Sequence, residues 1–197
     1  MSGTFPTTVK LSRLKIQSVT PTLESITHSL KRKVRTRGGQ RWTIEGDFTT
    51  ISRSEWSELF GFCMAQRGKY EAFTFTHPAI STPYGSPSGA PTIDSGQTTT
   101  RELITSNWGA GATLKAGSFF KFTNHAKVYM VTQDFTADGS GDGTINFDPA
   151  VQETITSGEE LIYSDVPFTV SFAEDVLETV VKTNWAYELV VKLVETP

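Results

Sequence analysis

A single cysteine, Cys63, stands among the 197 residues, which excludes an internal disulfide framework and suits synthesis in a reducing compartment. No stretch approaches the roughly 18 consecutive apolar residues of a membrane-spanning helix, so no membrane association is expected. The N-terminus MSGTFPTTVK has no basic start followed by an apolar core, and no secretory leader is expected either. The three histidines, His28, His77 and His125, lie far apart and none pairs at metal-ligand spacing with another His or Cys, which argues against structural zinc. There is no phosphate-cradling G-x-x-x-x-G-K-[ST] and no G-x-G-x-x-G after a strand. Gly85-Ser86-Pro87-Ser88-Gly89 carries Pro87 where a nucleophile elbow needs serine. Asp138-Gly139-Ser140-Gly141-Asp142-Gly143 matches the start of a calcium loop, but position 12, which needs a bidentate Glu, is Pro149. That run reads as a hairpin turn. The carboxylates are scattered, with no pair placed for glycoside hydrolysis. The expectation is a protein with no catalytic residues, no cofactor-binding residues and no metal ligands: not an enzyme, and with no cofactor.

What the chain does have points to β-structure. Hydrophobic content is 37%, and Gly, Ser and Thr are plentiful, as in a turn-rich all-β protein. The net charge of −3 is too near zero to argue for nucleic acid, but its distribution is uneven. Residues 1–70 hold 12 Lys+Arg against 5 Asp+Glu (+7), and the remainder 6 against 16 (−10). Lys31, Arg32, Lys33, Arg35, Arg37 and Arg41 share one eleven-residue window. Two readings of that window stay open: a solvated loop and strand edge, or a surface meeting an acidic partner, whether nucleic acid or an acidic face of the same protein. Lys31, Arg32, Lys33, Arg35 and Arg37 are therefore the candidate subunit or partner interface.

Hydrophobic periodicity places the elements. Leu11, Leu14 and Ile16 mark an extended strand ending near Pro21. Trp42, Ile44 and Phe48 alternate with Thr43, Glu45 and Asp47 in a second. Ser52 and Glu55 stand at capping-box spacing, and Trp56, Leu59, Phe60 and Cys63 follow at i, i+3, i+4, i+7, which predicts a helix from Arg53 to Arg67 stopped at Gly68. Tyr70 to Phe75 resumes as a strand. The Pro-, Gly- and Ser-rich stretch from Pro78 to Gly96 reads as a linker or long loop. Leu114 to Thr132, LKAGSFFKFTNHAKVYMVT, predicts a half-buried hairpin, turned at Thr123-Asn124-His125-Ala126, with His125 as a polar turn residue. A second hairpin turn at Ala137 to Gly143 separates Val131-Thr132 from Ile145-Asn146-Phe147. Two late stripes, Val166, Phe168, Val170, Phe172 and Tyr187, Leu189, Val191, Leu193, complete the pattern.

Those two final strands have apolar faces that the small middle region is too small to cover. The first 77 residues, with about three strands and a helix, are too few to close a sheet on themselves. Joining the two ends solves both problems. The expected architecture is a discontinuous outer domain, residues 1–84 and 166–197, with a small β-barrel, residues 85–165, inserted at an exposed loop.

Several stretches also carry family character: Arg37-Gly38-Gly39-Gln40-Arg41-Trp42, Met64 to Phe73, LKAGSFFKF, HAKVYMV and Asp165-Val166-Pro167-Phe168. In this order and spacing they resemble the short distal tail proteins of long-tailed bacteriophages, and the matching pieces span most of the chain. The resemblance implies a mainly β fold with one helix: a tail-tube-like β-sandwich or barrel domain, discontinuous, with an inserted OB-like barrel. It also implies a structural virion protein, made in the host cytoplasm, that forms a hexameric ring at the distal end of the tail tube. As a hub for the baseplate or adsorption apparatus, its partners would be further copies of itself, the tail tube protein and baseplate hub or tail fibre proteins. No sequence-specific nucleic acid is implied. The alternative is an OB-fold module binding nucleic acid or carbohydrate through an exposed aromatic face, for which Phe119, Phe120, Phe122 and Tyr129 are the candidates. The local charge of residues 85–165, 4 Lys+Arg against 10 Asp+Glu, opposes a phosphate groove.

Overall fold

Ser52 starts the long helix as its spacing to Glu55 predicts. Its hydroxyl accepts from the Glu55 N–H at 3.3 Å, and the Glu55 carboxylate accepts from the Ser52 N–H at 2.8 Å. The computed structural model describes residues 3–94, 100–183 and 185–197. In chain order the elements are β1 (Arg13–Val19), β2 (Thr22–Ile26), β3 (Arg32–Thr36), β4 (Arg41–Ile51), α1 (Arg53–Ala65) and β5 (Phe73–Phe75). The middle holds α2 (Pro78–Ser81), β6 (Gly85–Ser86), β7 (Gly89–Ile93), β8 (Glu102–Trp108), β9 (Thr113–Leu114), β10 (Phe119–Phe122), β11 (Val128–Val131), β12 (Phe135–Thr136), β13 (Gly143–Asp148) and β14 (Leu161–Ile162). The end supplies β15 (Phe168–Phe172), β16 (Thr179–Val181) and β17 (Tyr187–Glu195). The fold is mainly β, as expected, although α2 adds a single helical turn to the one helix read from the sequence.

The two ends of the chain meet in one antiparallel sheet of order β1-β4-β17-β15-β5, with β16 pairing β17 beside β15. Alternation decides its inner face. Trp42, Ile44 and Phe48 of β4, Phe168 and Val170 of β15, and Leu189, Val191 and Leu193 of β17 are buried, and Leu59 and Cys63 of α1 pack on them. Trp56 is half-buried: its ring stacks between Phe60 and Tyr187, each 4.8 Å away, and its Nε1–H donates to Thr179 Oγ1 at 2.9 Å. Burial of a large side chain of this kind contributes about 1.5–3 kcal/mol, so the stripe accounts for why α1 lies on this sheet.

A second core gathers in the middle of the chain around Phe120, Phe122, Tyr129, Phe147, Ile93 and Trp108. Its main sheet runs β14-β10-β11-β13-β8-β7, and β12-β9-β6 forms a smaller one. The two ends of the six-stranded sheet approach each other: the Ile93 N–H donates to the Glu159 carbonyl at 3.0 Å, and the Gly158 N–H donates to the Ile93 carbonyl at 2.7 Å. The result is a nearly closed barrel.

Three sequence expectations are corrected here. The Pro78–Gly96 stretch is no linker over its described part: it supplies α2, β6 and β7, and Ile93 is fully buried (residues 95 and 96 lie outside the described residues). The run from Tyr70 forms a strand only from Phe73. The hairpin of β10 and β11 is buried on both faces, not one. Phe120, Phe122, Tyr129 and Val131 point into the second core, while Phe119 and Val128 join the first. The hairpin is a wall shared by both.

Candidate assembly surface

The basic window folds into β2 and β3, a two-stranded ribbon in which every residue is exposed. An isolated ribbon of two strands is marginally stable in water at best, so a ribbon held out from both cores suits a surface completed by something else. Directly opposed residues of an antiparallel pair share a face. With Leu23 opposite Arg35 and Ser25 opposite Lys33, one face of the ribbon carries Leu23, Lys33 and Arg35. The other carries Glu24, Ile26, Arg32 and Val34.

The two faces differ in charge. Arg32 Nε donates to Glu24 Oε1 at 2.7 Å, so that face is internally compensated. Among the described residues Lys31, Lys33, Arg35 and Arg37 make no ion pair, which leaves the Leu23 face basic. Of the five residues singled out from the sequence, the structure thus sets Lys33 and Arg35 on one face, turns Arg32 to the other, and leaves Lys31 and Arg37 at the ribbon's ends. Leu23, Ile26, Leu30 and Val34 are exposed on the same ribbon. The sequence reading missed these apolar side chains because they alternate with charge and form no continuous stripe.

The aromatic residues proposed for a stacking face are placed differently. Phe119, Phe120, Phe122 and Tyr129 are all buried and pack against one another or against Trp42, Phe147 and Phe168. None is available to stack on a base or a sugar. Asp138 turns into its own loop, where its carboxylate accepts from the Ser140 and Asp142 N–H groups at 2.8 and 3.0 Å. Those amides, Asp142 first, hold its pKa below the usual value. Gly141 completes the turn at φ 87°, with its Cα so close to the Trp108 carbonyl that a side chain would collide with it. His125, read as a polar turn residue, is instead buried, with its ring against Phe122 at 5.2 Å.

A buried ion pair joins the two cores. Lys127, just before β11, donates through Nζ to Glu195 at the end of β17 and to Gln40 Oε1 at 2.6 Å. Glu195 also accepts from the Val128 N–H at 2.9 Å and the Trp42 N–H at 3.2 Å. Trp42 Nε1–H donates to the Val128 carbonyl at 2.9 Å. Lys127 and Glu195 are fully excluded from solvent. Burial pushes the Lys127 pKa below the usual lysine value against the opposing pull of Glu195.

The protein is thus β-rich, with a nearly closed barrel fixed to a broader sheet and a surface ribbon that has one basic face. Residues 81–166 match the family described as distal tail protein pb9, B domain. The match covers the middle of the chain, agrees with the resemblance read from its sequence, and supports a structural role in a phage tail. No curated protein matches the chain. Among the described residues no helix is long and apolar enough to cross a membrane.

Proposed function

We propose that the protein assembles side by side into a closed ring, a hexamer, at the distal end of a phage tail tube. There it serves as the hub joining the tail tube protein to the baseplate or tail fibre proteins, and it acts without catalysis. The observation that carries this reading is the wholly exposed basic ribbon β2–β3, with its apolar side chains and no partner of its own among the described residues. The number six comes from the resemblance to short distal tail proteins. A second feature supports lateral assembly. The β5 edge of the outer sheet is occupied by the Thr4 bridge to Thr74, whereas β1, at the other edge, pairs among the described residues with β4 alone. An open edge strand is a template for pairing with another chain.

Sedimentation of the purified protein tests the ring. A discrete species six times the monomer mass is expected near physiological salt, and Lys33→Glu with Arg35→Glu should shift it toward monomer without changing the circular dichroism spectrum. Higher salt should act in the same direction, because exposed charges are screened over about 10 Å at 0.1 M. A monomer at every concentration would overturn the reading.

We also propose that the chain divides into an outer domain of residues 1–84 and 166–197, which builds the ring, and an OB-like barrel of residues 85–165 that projects the adsorption apparatus. Two observations support the division: separate hydrophobic cores, and a family match that covers almost the same segment as the barrel. Expressed alone, residues 85–165 should give a dispersed NMR spectrum even with Phe119 and Val128 uncovered. A spectrum of a disordered chain would contradict an independent barrel.

A further inference from the structure

Ten of the 14 large apolar side chains exposed among the described residues fall into two groups. One is the β2–β3 ribbon with Val19 at its base. The other is Val176, Val180, Val181, Trp185 and Val190, which lie around the loop after β15 and on the β16–β17 hairpin. Val176 is 78% exposed and Trp185 75%, so neither is serving a core of this chain. Scattered exposed apolar residues are ordinary, but those that line a concavity mark a contact, and of this second group Val176 and Val190 do so. Here the concavity is a groove of about 160 Å³ lined by Phe172, Val176, Leu177 and Val190, with Glu174, Glu178 and Lys192 around it.

The charges of the groove decide what fits it. Lys192 donates to Glu174 at 2.9 Å, and Lys69 pairs with Asp175 at 3.5 Å. Glu178 makes no ion pair among the described residues, so the uncompensated charge at the rim is negative. The Leu23 face of the ribbon is the opposite in sign, with Lys33 and Arg35 uncompensated. A subunit that must join head to tail needs two different patches that complement each other, since a closed ring uses both on every copy.

We propose that the groove beside β16 receives the β2–β3 ribbon of a neighbouring copy, with Leu23 seated among Val176, Leu177 and Val190 and with Lys33 and Arg35 facing Glu178. The inference rests on the ring reading above and adds the receiving surface to it. The inserted barrel is not needed for this contact.

A charge exchange on the full chain tests it. One variant carries Lys33→Glu and Arg35→Glu in the ribbon, a second carries Val176→Lys and Glu178→Lys at the groove, and a third carries all four changes. All four positions are exposed, so each variant should melt as the parent does. In sedimentation, each pair alone should weaken association by about tenfold or more, since like charges then face each other across the contact. The fourfold variant should recover most of the association. If the groove pair assembles like the parent, or the fourfold variant fails to recover while the parent forms rings, the ribbon docks elsewhere: the inference falls and the ring stands. If the parent itself never assembles, both fall.

Discussion

Replacing Glu195 by alanine is expected to destabilise the protein by about 3–5 kcal/mol, the cost of breaking a buried ion pair by removing one member. The change strands the Lys127 ammonium, which has no access to water, and removes the acceptor for the Val128 and Trp42 N–H groups. Urea unfolding of the two proteins measures it. The interaction itself is isolated by a double-mutant cycle with Lys127→Met: the double variant should lose less than the two single losses added together, because the stranded charge is gone. A loss below about 1 kcal/mol for Glu195→Ala would mean that water or another group reaches Lys127, contrary to its burial. The pair matters for function through geometry. It fastens the segment before β11 to the ends of β4 and β17, so the barrel's orientation on the outer sheet is fixed by directional bonds as well as by apolar contact.

Phe120→Ala is expected to cost a similar amount, about 3–5 kcal/mol, as for other buried aromatic truncations. Its ring lies 5.3–5.7 Å from Phe122, Tyr129 and Phe147 in the interior of the barrel. The neighbouring Phe119 faces the other way, 5.2 Å from Trp42 and 5.5 Å from Phe168. Near-UV circular dichroism and urea unfolding should therefore show Phe120→Ala loosening the barrel core, and Phe119→Ala loosening its attachment to the outer sheet. Equal effects on the same signals would argue that the two faces of β10 do not serve separate cores.

These two faces show what the sequence could and could not say. Alternation located the β10–β11 hairpin. It did not reveal that both faces are covered, because the cover comes from β4 and β15, far away in the chain. Helix α1 was legible because Ser52 and Glu55 carry a local hydrogen-bonding pattern that needs no tertiary context. The β2–β3 ribbon was invisible as a ribbon: without a core to face, it has no reason to segregate apolar from charged residues. Strand β7 was hidden by its composition. Its Pro91 sits within the register shift between Gly89 and Thr92, where the ladder does not demand an N–H. Lys127 and Glu195 lie 68 positions apart, so no local pattern announces that they pair. One signal pointed to Glu195: it continues the series Tyr187, Leu189, Val191, Leu193, so period-two alternation already placed it on the inward face of β17.

The proposed assembly surface was only half legible. The basic window announced a charged patch, but the sequence did not assign its residues to faces, and the pairing of Arg32 with Glu24 becomes readable only from the register of the ribbon. The acidic, apolar groove around Val176 and Glu178 was not legible at all. It is built by a loop, a short strand and one edge of β17, and no periodic pattern unites them.

Electron microscopy of the purified full chain in negative stain tests the central claim most directly. Class averages showing rings with six-fold symmetry and an open centre are the expected result. A field of single particles the size of one 21.7 kDa chain, persisting at high concentration and low salt, would contradict it.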